Sequence, residues 1–199
     1  MKSMLLIALS FVVGGTLILG IANFSINVSE SSNISKLDYM SIRNLETIVE
    51  IVKFDLYHIG SNTDTSQAEI EDFQLNRLQF RTDVDMSLTN SIPGRVRIRE
   101  IDSTNQFERT VWNITNPLSP VELTTESTTI EGLDTLSFIY FDTIGDTVVP
   151  GVGSASDIRS IEVTIISRLP NAYERDNYDP YLARKFWKSE LYPKNLYND

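Results

Sequence analysis

Cysteine is absent from this 199-residue chain, and histidine occurs once, at His58. Without thiols there is no disulfide scaffold, thiolate zinc site, iron–sulfur cluster or cysteine nucleophile. One imidazole cannot build a three-histidine metal site or a histidine proton relay. Basic residues are outnumbered: 17 Lys and Arg face 27 Asp and Glu, a formal net charge of −10. That sign opposes broad nucleic-acid binding, which needs cations to neutralise phosphates. The rest of the composition, 41% hydrophobic and 22% charged, is that of a chain that folds.

Charge is missing altogether from residues 4–24, MLLIALSFVVGGTLILGIANF. About 20 apolar residues at about 1.5 Å each cross a hydrocarbon layer of about 30 Å. Lys2 is the one charge before this run, and the first acid is Glu30. A positive flank predicts a cytoplasmic N-terminus, with everything after residue 24 across the membrane, periplasmic or extracellular. Leu5, Leu6 and Leu17 supply apolar surface to the expected anchor, and Gly14, Gly15 and Gly20 permit close helix approach. A cleaved secretory signal is the alternative, with Leu5–Leu19 as its apolar core and Gly20-Ile21-Ala22 as its small-residue cleavage site. Either way the remainder is exported, and without cysteine it relies on its core.

Residues 27–35, NVSESSNIS, are rich in Ser and Asn, which compete for backbone hydrogen bonds. They read as a loosened helix, a hinge or a cap, with Ser35 as a candidate N-cap. From Lys36 the pattern turns helical. Ile42, Leu45, Val49, Val52, Leu56 and Ile59 form one apolar stripe expected to pack on a sheet of the same chain. Ile48 and Phe54 widen it or make a second contact, while Arg43, Glu46, Glu50, Lys53 and Asp55 mostly fall elsewhere. Gly60 is the expected C-cap. His58, near the carbonyl end of that helix, reads as a capping or surface residue.

Beyond Gly60 the period changes to that of strands. Residues 61–71 read as loop. Alternation predicts strands over 77–85, 95–101, 107–114, 133–141 and 158–167, with 95–101 and 107–114 as a hairpin. Pro93-Gly94 reads as a turn, residues 142–146 as a hairpin loop, and 122–130 as an extended connection or edge strand. Residues 61–167 hold 17 acidic and 7 basic side chains, so the net acidity sits there. The tail from Arg168 is rich in aromatics, and residues 181–191 read as a short helix. It is expected to pack back over the domain, with a docking tail as the alternative. The expected organisation is an anchor over 1–26, a hinge and amphipathic helix over 27–60, and a β-rich domain over 61–199. The fold class is α+β, a long N-terminal helix on a mainly antiparallel sheet of six or seven strands.

Chemistry is thinly represented. Asp142 and Asp146 flank Gly145, but the full calcium loop is missing and a hairpin turn is the better reading. No phosphate loop, nucleophile elbow or zinc-protease motif is present. Arg95, Arg97 and Arg99 form a basic stripe that either pairs with nearby carboxylates or docks an acidic partner. With Phe186 and Trp187 they are the candidate partner contacts. No catalytic, cofactor, metal or small-molecule site is expected, and no nucleic-acid partner.

A span running into an amphipathic helix that ends near a glycine, followed by a β-rich domain, resembles the type IV pilin-like proteins. Residues 44–60, NLETIVEIVKFDLYHIG, look like the helix of minor pilins and of the J-type minor pseudopilin of type II secretion. Asp55, Leu56 and Gly60 match its ending. Residues 138–146, FIYFDTIGD, are similar to the family's aromatic strand and Asp/Gly turn, and Pro193-Lys194-Asn195-Leu196 is similar to its chain endings. The family's Phe-Thr-Leu-Ile-Glu start has a faint echo in Gly15-Thr16-Leu17-Ile18, without the glutamate. The resemblance implies a non-enzymatic subunit of a type IV pilus or type II secretion filament, in a minor, initiating or accessory role. Membrane lipid and other pilin-like subunits would be its partners. The alternative is an exported β-rich module that recognises a glycan or an envelope protein.

Overall fold

Residues 27–35 contain neither Gly nor Pro, and helix flanks them on both sides. Nucleation is already met there, so propagation carries the backbone through. In the computed structural model α1 runs unbroken from Lys2 to Tyr57. The hydroxyls bond back along the helix instead of breaking it: Ser35 Oγ donates to the Ser31 carbonyl at 2.9 Å, as Thr47 does to Arg43. Ser35 is therefore an interior helical residue and not an N-cap. The structure describes residues 2–61, 69–83, 93–101, 103–113, 123–168 and 184–197. The chain divides into two compact units, Met1–Met40 and Ser41–Asp199.

In the second unit α1 ends at Tyr57, and three turn residues lead to Gly60. Gly60 has φ +71° and donates its N–H to the Arg81 carbonyl at 2.9 Å. The left-handed conformation reverses the chain at the helix end, where glycine carries no Cβ penalty.

Nine strands follow among the described residues. Sheet A is β1 (Ile70–Phe73), β2 (Arg77–Asp83), β3 (Pro93–Ile101), β4 (Gln106–Asn113) and β5 (Leu123–Glu131), in that order and antiparallel. Sheet B is β6 (Leu133–Phe141), β7 (Thr147–Val148), β8 (Ser160–Arg168) and β9 (Arg184–Leu191), ordered β7-β6-β8-β9 and also antiparallel. The α+β class holds, with two sheets in place of one. The β3–β4 hairpin pairs as expected, with Val96 opposite Val111 and Ile98 opposite Arg109.

Three segments differ from the sequence reading. Residues 70–73 form β1, a short charged edge strand, where a loop was expected; pairing with β2 decides this, not the polar local sequence. Pro93 and Gly94 open β3 opposite Asp83 and Thr82 instead of turning. Proline is tolerated as the first residue of a strand. Residues 184–191 are the strand β9, not helix, with Trp187 opposite Ile165 and Leu191 opposite Ile161. The backbone groups along β8 supply hydrogen bonds that an isolated eight-residue helix could not match. Val84, Asp85, Ile114, Glu122 and residues 181–183 lie outside the described residues.

One core joins the helix to both sheets. Ile48, Val52, Leu56 and Ile59 are fully buried and Val49 nearly so, together with Leu78, Phe80, Ile98, Phe107, Leu136, Phe138, Tyr140, Ile161, Val163 and Ile165. Each large apolar side chain buried this way contributes about 1.5–3 kcal/mol. Leu45 packs against the core while partly exposed, Ile42 is half-buried, and Phe54 points outward. The β6 edge that β7 leaves uncovered is stitched to sheet A. Leu133 and Phe138 donate their N–H groups to the carbonyls of Asn105 (3.1 Å) and Leu75 (2.7 Å). Leu136 N–H donates to the Glu100 carboxylate at 2.8 Å. Sheet B thereby avoids an open edge at its centre.

Candidate functional site

The N-terminal unit is a helix clothed in apolar side chains. Phe11, Val12, Val13, Leu17, Ile18, Leu19, Ile21 and Phe24 are all exposed, Leu17 at 62% and Phe24 at 71%. Leaving so much apolar surface in water is costly, so the surface calls for a non-aqueous or protein neighbour. The helix is long and apolar enough to cross a membrane. A Cβ built on Gly14, Gly15 or Gly20 would meet nothing within 4 Å. Thr16 satisfies its hydroxyl on the Val13 carbonyl at 2.9 Å. Leu5 and Leu6 lie within α1, and their side chains are outside the description.

In the second unit the same helix carries an acid into the core. Asp55 belongs by spacing to the row 48, 52, 55, 59 and points inward, 3% exposed. Its two oxygens accept from Nε and Nη2 of Arg109 at 2.6 and 2.8 Å. Arg109 lies on the inward face of β4 between Phe107 and Val111, and 16% of its side chain reaches solvent. The opening is a groove of about 240 Å³ lined by Glu50, Ile51, Phe54, Asp55, Arg109 and Thr128. A carboxylate in the last turn opposes the helix dipole, and the guanidinium offsets that as well as the loss of water. The sequence reading placed Asp55 off the buried face. An acid within the apolar row, and an arginine within an inward-facing strand row, were the two signals that pointed to this pair.

His58 sits in the turn after α1, where its Nδ1–H donates to the Phe54 carbonyl at 2.6 Å. The ring also lies 4.6 Å from that of Phe54. This caps a terminal carbonyl, as the sequence suggested.

Arg95, Arg97 and Arg99 share the outer face of sheet A and are drawn to carboxylates, the first of the two readings of that stripe. Glu71 accepts from Arg95 (2.9 Å), Arg81 (2.6 Å) and Gln79 (2.9 Å). Glu108 pairs with Arg99 and stands 3.9 Å from Arg97. The Arg97 guanidinium also lies 4.7 Å over the Trp112 ring. Burial pushes the Glu71 carboxyl up, but the hydrogen bonds from Arg95, Gln79 and Arg81 and the charge of Arg95 outweigh it, so it sits below the usual range. Glu69 shifts the other way: burial raises it, and the more distant charge of Arg159 offsets this in part. Burial raises the Tyr140 hydroxyl strongly, and that hydroxyl donates to the Gln74 carbonyl at 2.7 Å.

Phe186 and Trp187 take opposite faces of β9. Phe186 is 63% exposed, whereas Trp187 packs against the core with the Lys53 ammonium 5.3 Å over its ring. Tail residues 184–197 do fold back on the domain: Leu196 is buried, and the Asn195 amide donates to the Ile59 carbonyl at 2.9 Å. Asp142 spends a carboxylate oxygen on the N–H groups of Ile144 and Asp146, both at 2.9 Å, which closes the hairpin turn. Among the described residues no three His, Asp or Glu side chains gather as a metal site would require.

No protein-family model matches this chain, and no curated protein matches it.

Proposed function

We propose that this chain is a non-enzymatic structural subunit, a minor pilin-like or pseudopilin-like component of a type IV pilus or type II secretion filament. One observation carries the reading. A single helix, α1, exposes apolar side chains over its first half and seats Ile48, Val52 and Leu56 in the core of a β-rich unit over its last turns. The first half supplies what a lipid-embedded anchor needs, and the second half fixes that anchor to a folded head. On this reading residues 4–24 span the membrane and pack among neighbouring spans, with the head on the periplasmic or extracellular side.

The test uses the absence of cysteine. A full-length Gly15→Cys variant, oxidised in native membranes, is expected to give disulfide-linked species between neighbouring spans. Leu17→Arg is expected to weaken membrane retention, because a cation at a span centre costs about 2.5–3.5 kcal/mol on insertion scales. Mass spectrometry of the native N-terminus separates intact, Ala22-cleaved and Gly15-cleaved chains. A soluble, monomeric, Ala22-cleaved product would sink the proposal in favour of an exported binding module.

A further inference from the structure

We propose that the second unit carries a head-to-tail docking pair: the outer face of β9 in one copy seats in the groove between α1 and β5 of a second copy. This deepens the subunit reading and rests on it for the expectation that copies meet. The groove, about 240 Å³, has room for one large side chain. Ile51 and Phe54 give it an apolar wall, with Phe54 48% exposed. Its rim is acidic. Glu50 lines it, and Glu46 lies one helical turn earlier on the same exposed ridge. Arg43 shares that ridge and leaves it net negative, while the Arg109 charge is turned onto Asp55.

The outer face of β9 has the complementary form. Arg184, Phe186 and Lys188 occupy alternate positions, so they project to one side about 7 Å apart. All three are exposed. Arg184 and Lys188 pair with Asp134 (3.1 Å) and Glu162 (2.7 Å) on their own surface, and such pairs exchange at little cost. An aromatic knob between two cations thus faces an aromatic-walled hole with an acidic rim. The two surfaces lie on opposite flanks of α1. Lys53 meets Trp187 on one flank and Asp55 meets Arg109 on the other, so groove and knob of one copy cannot meet each other. Two different surfaces make a heterologous contact, which repeats from copy to copy.

The experiment mixes two full-length variants, Thr128→Cys beside the groove and Glu190→Cys beside the knob, and oxidises them. A disulfide heterodimer is expected at about tenfold the level of dimer from either variant alone, the equivalent of about 1.4 kcal/mol of preference. Adding Glu50→Lys to the groove variant should abolish that excess, and adding Lys188→Glu to the knob variant should restore it. The restoration guards against a variant that merely misfolds. No excess in the mixture, indifference to Glu50→Lys, or cross-linking of the groove cysteine to another protein alone would each overturn the interface. A Gly15→Cys ladder without the 128–190 dimer would overturn it and leave the subunit reading standing.

Discussion

Removing Arg109 should damage the fold more than removing Asp55, although the two form one ion pair. Arg109→Ala leaves a carboxylate that is 3% exposed, without its guanidinium, in the last turn of α1. Stranding one member of a buried pair costs about 3–5 kcal/mol, and the helix dipole acts in the same direction. Asp55→Ala leaves a guanidinium whose side chain is 16% exposed and opens onto the groove, where water can reach it. Its cost is that of a charged hydrogen bond lost with partial resolvation, about 1.5–3 kcal/mol. Replacing both with apolar residues of similar volume, Asp55→Leu with Arg109→Met, should return stability to within about 1–2 kcal/mol of the native chain, since no charge is then left buried. For a chain of this size each kcal/mol moves Tm by about 2–4 °C, so Arg109→Ala should lower it by roughly 6–20 °C. Thermal unfolding of the detergent-solubilised full chain, followed by near-ultraviolet circular dichroism, reads all three variants. An Asp55→Ala chain less stable than Arg109→Ala, or a double variant no better than Arg109→Ala, would refute the argument.

Gly60→Ala should cost about 1–2 kcal/mol for the left-handed backbone alone, and more because the new Cβ would stand 2.5 Å from Glu69 Cδ; the same unfolding assay checks it. The two neighbouring glutamates should respond oppositely to acid. The folded value of Glu71 lies below 4.5, so its stabilisation is complete above that pH and is lost as pH falls through the folded value. The folded value of Glu69 lies above 4.5, so its ionisation weighs against the fold at neutral pH and that penalty lifts on acidification. Glu71→Gln should therefore lower stability at pH 7 and flatten its acid limb, and Glu69→Gln should raise stability at pH 7. Denaturant unfolding of both variants at pH 7 and pH 4 tests the pair of signs.

Sequence alone determined the features set by short-range periodicity. An uncharged run over 4–24 makes an apolar helix whatever surrounds it, because every backbone group is satisfied within the helix. The 3–4 spacing from Leu45 to Ile59 defined the buried face, and the need for positive φ put glycine at position 60. Alternation located β2, β3, β4, β6 and β8, because one face of each is buried and the other is not.

Tertiary structure decided what depends on a distant partner. Residues 184–191 are compatible with helix or strand by composition, and β8 makes them a strand. Residues 70–73 have little strand character until β2 pairs with them. Ser and Asn at 27–35 suggest a break only when the helix on either side is left out of account. The inward position of Asp55, the clustering of arginines on Glu71, and the carboxylate of Glu100 capping β6 join residues 54, 24 and 36 positions apart. Periodicity can say that a charged residue faces inward. Only the folded chain says which opposite charge waits there, because that is fixed by register between elements and not by spacing within one.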